Sequence, residues 1–393
     1  MANLFDLDDD VSNVDVIDAE IESLVDGDDE STELTPRSNP DFFGHEEVEK
    51  QLLDDYLGGR MPHAIILAGA SGIGKATLAF RLTRFLFSQD ESQAGMFGDE
   101  IKQESLFVST TNPVFRRVVS LGHADLLVIE REFDEKKGRF KTEISVDAVR
   151  RIHPFLQKTA AEGGWRVVIV DGAEALNRSS QNALLKILEE PPKNTLLILT
   201  TSKPGAFLPT IRSRCRTINM KPLADDVMNS LLSKMLPNLD MDEKNILNHV
   251  AEGSIGKAIR FYNEDGVKIY SQLLDIIATI PELDMLKVHD LAEKFGRYGS
   301  EQGYYTIMDI LLGMCETQAR SLARGVKLSN SLDADSSGFE NMINIYPKGH
   351  FLNAWDKISK LSSDVDRYNL DKRQGIMGAF LALQDPNYSG IAV

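Results

Sequence analysis

Short, unbroken apolar runs recur along the first half of the chain, separated by stretches whose apolar residues return every three or four positions. Ala64–Ala68 leads into a glycine-rich turn and then a helical segment, Lys75–Phe87. Leu126–Ile129, Arg166–Val170 and Leu196–Thr200 are the next runs. A strand covered on both faces must be apolar throughout, so these runs predict a parallel sheet between helical layers. Ser179–Glu190 reads as one covering helix, with Ala183, Leu184, Ile187 and Leu188 on one side. It stops at Pro191-Pro192, where proline lacks the amide donor and its ring clashes with the preceding turn. After Lys221-Pro222 the strand signals fade. Asp225–Met235 and Asp242–Glu252 read as short helices before a break at Gly253-Ser254. From about residue 267 onward the spacing of three and four, with one polar gap at Asn330–Gly338, predicts an all-helical region.

The length of 393 residues suits two or three domains with a real core. Net charge is −17, and its distribution changes what it means. Residues 1–36 hold thirteen acidic and no basic side chains. Residues 37–220 balance at +2, and 221–393 carry −6. The acidity is therefore mostly a tail, 1–38, too charged and too poor in apolar side chains to offset the entropy of ordering. It does not exclude a DNA-facing core. Two cysteines, Cys215 and Cys315, cannot make a four-thiolate zinc site or a disulfide framework. The N-terminus lacks a basic region followed by an apolar stretch, and no run approaches 18 apolar residues; Tyr304–Cys315 comes nearest, interrupted by Asp309. The expectation is a cytoplasmic protein with no membrane association.

Chemistry concentrates at Gly69-Ala70-Ser71-Gly72-Ile73-Gly74-Lys75, which follows a strand and opens a helix. There the glycines let backbone amides turn inward around an anion, the helix N-terminus adds partial positive charge, and Lys75 adds a full one. The next position should be Ser or Thr to ligate Mg²⁺ and is Ala76. Thr77 is one residue, about 100°, further round the helix. Val167–Asp171 is the matching strand ending in a carboxylate, but the residue after it, where a hydrolysing enzyme carries Glu, is Gly172. Glu174 is expected to point elsewhere. With metal hydroxyl and base both missing, ATP or ADP would be bound without turnover. The candidate nucleotide-binding set is Gly69, Ser71, Gly72, Gly74, Lys75, Thr77, Asp171 and Thr201, with Thr201 and Ser202 read as either phosphate sensors or strand-end caps. Arg214, among Arg212 and Arg216, is by spacing alone either a solvated basic turn or an arginine that reaches a neighbour's phosphate.

Together GASGIGKA (69–76), VVIVDGAEALN (167–177), NALLKILEEPP (182–192), LILTTSKP (197–204) and TIRSRC (210–215) resemble the AAA+ clamp-loader family. GRMPHAIILAG (59–69), TAAEGGWRVVIVDGAEALN (159–177), HADLLVIERE (123–132) and LDKRQGIMGAFLALQ (370–384) resemble its stator subunits in bacterial DNA polymerase III, of the alphaproteobacterial kind. The resemblance spans about 40–388 and implies an AAA+ P-loop domain at 39–220, a helical lid at 221–266 and an all-helical collar for oligomerisation at 267–393. It also implies a hetero-pentamer with ATPase motor subunits and a clamp-opening subunit, which places the sliding clamp on primed DNA. A degenerate ATP site belongs to that resemblance, and so does Arg214 as an arginine finger in trans. Gly44-His45 fits the family's box ahead of the P-loop, or a helix-entry turn. The sequence departs from the family in two places. Ser88–Leu121 has no cysteine where many members bind zinc, so no zinc is expected. Gly253-Ser254-Ile255-Gly256-Lys257 lacks the arginine of an active sensor segment, Lys257 being displaced by one. An active motor ATPase of the same fold is the alternative. A P-loop kinase would leave the LEEPP and SRC segments without a role, and no two-metal carboxylate pair supports polymerase chemistry.

Overall fold

Five strands pair in parallel in the order β2-β5-β6-β1-β7: β1 Ala64–Ala68, β2 Leu126–Ile129, β5 Arg166–Val170, β6 Thr195–Thr201 and β7 Arg216–Asn219. A separate two-stranded hairpin joins β3 Phe133–Asp134 to β4 Arg139–Phe140. The computed structural model describes residues 35–92, 104–134, 139–161, 164–297, 301–325, 337–347 and 349–385. Strands β1, β5 and β6 are buried along their whole length, which is why their sequences show no alternation. Alternate residues serve opposite faces. Ile65, Leu67, Val167, Ile169, Leu196 and Ile198 pack under α1 Glu46–Leu57, α2 Lys75–Ser92 and α3 Pro113–Val119. Ile66, Val168, Val170, Leu197 and Leu199 pack against α4 Val146–Arg150, α5 Ile152–Gln157, α6 Arg178–Glu189 and α7 Pro209–Arg212. The parallel sheet flanked by helices is thus the α/β architecture read from the sequence.

Helix α6 starts where the Asn177 side chain accepts from the Ser180 amide at 2.9 Å. It ends two residues before Pro191, because a residue preceding proline is pushed out of the helical region. Two buried ion pairs join neighbouring elements: Arg81 of α2 to Glu49 of α1 at 2.8 Å, and Arg166 of β5 to Asp125 just before β2 at 3.3 Å. Arg84, pushed down to about 10 by burial and by Arg81, donates to the carbonyls of Arg37 and Asn39. Most of the expected acidic tail, residues 1–34, lies outside the described residues. Its last four residues, however, form a hydrogen-bonded turn from Thr35 to Ser38, because those carbonyl contacts hold the chain there.

The rest is helical: α8 Asp225–Met235, α9 Met241–Ala251, α10 Ile255–Asn263, α11 Gly266–Ile277, α12 Met285–Phe295, α13 Glu301–Arg324, α14 Ser337–Ile345, α15 His350–Tyr368 and α16 Lys372–Gln384. One continuous apolar cluster runs from Leu223 and Met228 through Tyr270 and Leu311 to Phe380 and Leu383. Polar contacts tie the α10 segment to α13. Arg260 pairs with Asp309 of α13 at 3.5 Å, and Glu264, just past the helix, accepts from Gln302 at 2.6 Å and from the Thr306 hydroxyl. No described helix is long and apolar enough to cross a membrane.

Candidate nucleotide site and arginine turn

In a parallel sheet the loops at the carboxyl ends of the strands converge, and where strand order reverses they open a crevice. Here β1 lies between β6 and β7. The loop after β1, the carboxylate after β5 and the polar end of β6 meet at a cavity of about 840 Å³. Ser71, Gly72, Ile73, Gly74, Lys75, Ala76 and Thr77 form one wall, and Asp171, Glu174, Thr200 and Ser202 face them. Leu223, Leu231, Met235, Ile255 and Ile259 add an apolar wall from the helical part.

Gly72 and Gly74 adopt φ of +77° and +101°, conformations a side chain disfavours. A Cβ on Gly72 would also sit 2.5 Å from Ser254 Oγ. That closeness reflects a direct junction. The Ser254 hydroxyl donates to the Ser71 carbonyl at 2.7 Å, and the Gly256 amide donates to the Gly72 carbonyl at 3.0 Å. Buried His45 donates through Nε2 to the Ile73 carbonyl at 2.9 Å and so braces the loop as well. Lys75, only 7% exposed, donates to the carbonyls of Gly69 at 2.8 Å and Ala70 at 2.5 Å. Burial pushes its ammonium below the usual lysine range, against the upward pull of Glu174 and Asp171.

Beyond the loop the geometry departs from the sequence expectations in two places. Glu174 does not point away: the 3₁₀ turn Ala173–Ala175 folds it back to the cavity. There the Ser202 hydroxyl donates to it at 2.7 Å and the Ser202 amide at 3.3 Å. Burial raises its pKa, but hydrogen bonds from Ser202 and Thr201 outweigh that and hold it below the usual range. Thr201, in turn, does not line the cavity; its hydroxyl accepts from the Lys203 amide at 3.0 Å, as a strand-end cap does. Alternation along β6 gives the site-facing place to Thr200 instead. The Thr200 hydroxyl donates to Asp171 and accepts from the Gly172 amide at 3.0 Å. Gly172 itself has φ +67°.

A metal ion fits poorly. Ala76 offers no oxygen, Asp171 already accepts from Thr200, and no group of three or more His, Cys, Asp or Glu that could hold a metal occurs among the described residues. Part of the stretch expected to lack zinc, 93–103, lies outside them. Both cysteines are buried, with thiols pushed up to about 12 by burial.

Lys257 does not line the cavity; it borders a small cleft with Asp309. Arg260 lines the cavity instead. It stands four residues after Gly256, hence on the same helix face, a signal the sequence carried. Arg214 sits on the turn after α7, 35% exposed, and is absent from the cavity wall. Its Nη1 donates to the Thr210 carbonyl at 3.0 Å and its Nη2 lies 3.0 Å from Glu189. Arg216 is instead spent on Asp55, at 2.5 Å.

A parallel sheet with this strand order, a glycine-rich loop after β1 that opens a helix, a carboxylate after β5 and a following helix hydrogen-bonded to the loop make up a P-loop module of the AAA+ class. Residues 44–224 match the family described as "DNA polymerase III, delta subunit". That match takes in just under half of the chain and makes this segment similar to DNA polymerase III subunits. It is 40% identical over 168 residues to DNA polymerase III subunit delta' of Pseudomonas aeruginosa, covering 42% of this chain and 46% of that one. To the Escherichia coli delta' subunit it is 29% identical over 250 residues, 63% of this chain and 67% of that one. The tau subunit of Escherichia coli is 27% identical over 236 residues, 57% of this chain and 32% of its own. The chain spans about half the length of the Pseudomonas relative and two thirds of the Escherichia coli delta' subunit.

Proposed function

We propose that this chain is the stator subunit of a DNA polymerase III clamp loader in the bacterial cytoplasm. In this reading it assembles with ATPase motor subunits and a clamp-opening subunit in a hetero-pentamer that places the sliding clamp on primed DNA. Its own nucleotide site is degenerate. The observation that carries the reading is a glycine-rich loop lining the cavity beside Lys75, followed by Ala76 at the position of the metal hydroxyl, with Gly172 in a left-handed conformation at the position of the base. Lys75 and the loop amides would hold the phosphates of ATP or ADP, and the wall of Leu223, Met235, Ile255 and Ile259 would take an apolar ring. Phosphoryl transfer depends on electrostatic stabilisation and a positioned water, and both are weakened here, so the nucleotide would persist unhydrolysed. The domain division at 220 and 266 belongs to the same proposal, with 267–393 as the collar through which subunits associate.

Arg214 completes the reading. It stands away from the chain's own cavity, half-exposed on an anchored turn, as a group serving a neighbour's ATP would. A fixed guanidinium offsets charge developing on the transferred phosphoryl, and such fingers are worth roughly 10³–10⁵ in rate. One observation favours the alternative of an active motor ATPase: Glu174 presents a carboxylate to the cavity. Its hydrogen bonds to Ser202 commit it instead to the end of β6.

The test is steady-state phosphate release by the isolated full chain, beside binding of a fluorescent ATP analogue. The expected result is no hydrolysis above background, whether or not the analogue binds. Hydrolysis at motor-subunit rates that Glu174→Gln abolishes would replace this reading with the motor.

A further inference from the structure

Arg214 is held from two sides by groups on two different helices. Glu189, the last residue of α6, meets Nη2 at 3.0 Å, and the carbonyl of Thr210 on α7 accepts from Nη1 at 3.0 Å. A guanidinium is a rigid plane with five N–H donors. Fixing both terminal nitrogens sets the orientation of that plane as well as its position, and leaves three donors uncommitted.

The anchors are themselves held firmly. Gln181 of α6 donates to the Ala206 carbonyl at 3.1 Å and accepts from the Leu208 amide at 2.8 Å, so α6 and the lead-in to α7 move together. Ile211 and Cys215, on either side of the arginine turn, are buried in the core beneath β1. Glu189 is also oddly placed for helix stability. Helix C-termini carry partial negative charge, which a carboxylate there opposes. The arginine compensates that cost.

We propose that Glu189 is the positioning residue for Arg214. Its carboxylate holds the guanidinium so that the remaining donors are ready for the phosphate of ATP bound by an adjacent subunit. Glu189 touches neither nucleotide nor reacting atoms. This rests on the reading of Arg214 as a finger in trans, and it assigns the first Glu of the LEEPP segment a role that the finger needs. Loss of a positioning contact misplaces a catalytic group without removing it, and misplacement by about 1 Å costs up to roughly 10²-fold in rate. An ion pair this exposed constrains less than a buried one, which lowers the expectation.

The experiment is ATP hydrolysis by the full chain assembled with the ATPase subunits, clamp and primed DNA. Glu189→Ala is expected to lower kcat about 3- to 30-fold, with KM for ATP within about twofold, and Arg214→Ala to lower kcat further. Glu189→Gln keeps an acceptor oxygen for Nη2 and is expected to recover most of the loss. Glu190→Ala is expected to hydrolyse like wild type, and gel filtration to show every variant assembled. Hydrolysis by Glu189→Ala at or above the wild-type rate, with Arg214→Ala impaired, overturns the positioning role and leaves the finger standing. So does an equal loss in Glu189→Ala and Glu189→Gln, or loss of assembly in both. Undiminished hydrolysis in Arg214→Ala instead removes the finger itself.

Discussion

Ala76 stands in the first turn of α2, where a hydrolysing P-loop carries the hydroxyl that ligates Mg²⁺. Restoring that hydroxyl is a small change in an uncrowded place, yet it leaves Asp171 tied to Thr200 and Gly172 unable to act as a base. Ala76→Ser alone is therefore expected to leave the isolated protein without turnover, as checked by phosphate release. Adding Gly172→Glu meets a backbone at φ +67°, which costs a side chain about 1–2 kcal/mol although nothing lies near its Cβ. Histidine adds a pH signature. Burial holds His45 and His350 below the ordinary value of 6.5, against the pull of their bonds to the Ile73 and Leu383 carbonyls. The unfolded state then binds more protons than the native one below that value, so stability falls as pH drops through about 6.5 toward 5. Urea unfolding at pH 5, 6 and 7 is expected to show a shallower fall in His45→Gln than in wild type.

Helix α10 is the element through which the phosphate loop meets the helical half. Ser254 caps it, accepting from the Lys257 amide at 3.1 Å while donating to Ser71, and Arg260 and Glu264 hold its far end to α13. Removing the cap and the junction bond together by Ser254→Ala is expected to cost about 1–2 kcal/mol in denaturant unfolding. It is also expected to raise amide exchange in α10 before it does so in β5. An unchanged midpoint would mean that the loop does not depend on this helix. The elements themselves were legible to different degrees. Ala64–Ala68, Leu126–Ile129 and Arg166–Val170 coincide with their apolar runs; β1 and β5 are covered on both faces, and the edge strand β2 is half-buried at its two middle positions. β6 extends one residue beyond its run at each end, since Thr195 and Thr201 are buried with their hydroxyls satisfied locally. β7, Arg216–Asn219, carries one buried apolar residue and gave no signal. The contiguous motifs placed Lys75 and Asp171. Glu174, Thr200, Arg260 and Glu189 escaped because their places depend on a 3₁₀ turn, on strand alternation, on helical i+4 spacing and on a contact between two helices.

At the scale of the molecule, a parallel-sheet module with a glycine-rich loop is fused to a helical half that shares one apolar cluster from Leu223 to Leu383. The junction at Ser71, Gly72, Ser254 and Gly256 joins the loop to α10 by two direct hydrogen bonds. That suits a subunit that supplies a fixed surface to its neighbours, and it separates the chain's own cavity from the arginine turn that would serve another's. The central claim is that Arg214 acts on a neighbour's ATP. Its most direct test is ATP hydrolysis by the complex reconstituted from this chain, the ATPase subunits, clamp and primed DNA, with Arg214→Ala in place of wild type. Because the Arg214–Glu189 pair is partly exposed, the substitution should cost no more than about 1 kcal/mol of stability and leave assembly intact. The account predicts an assembled complex whose clamp- and DNA-stimulated hydrolysis is lowered at least tenfold; an assembled complex that hydrolyses ATP at the wild-type rate would contradict it.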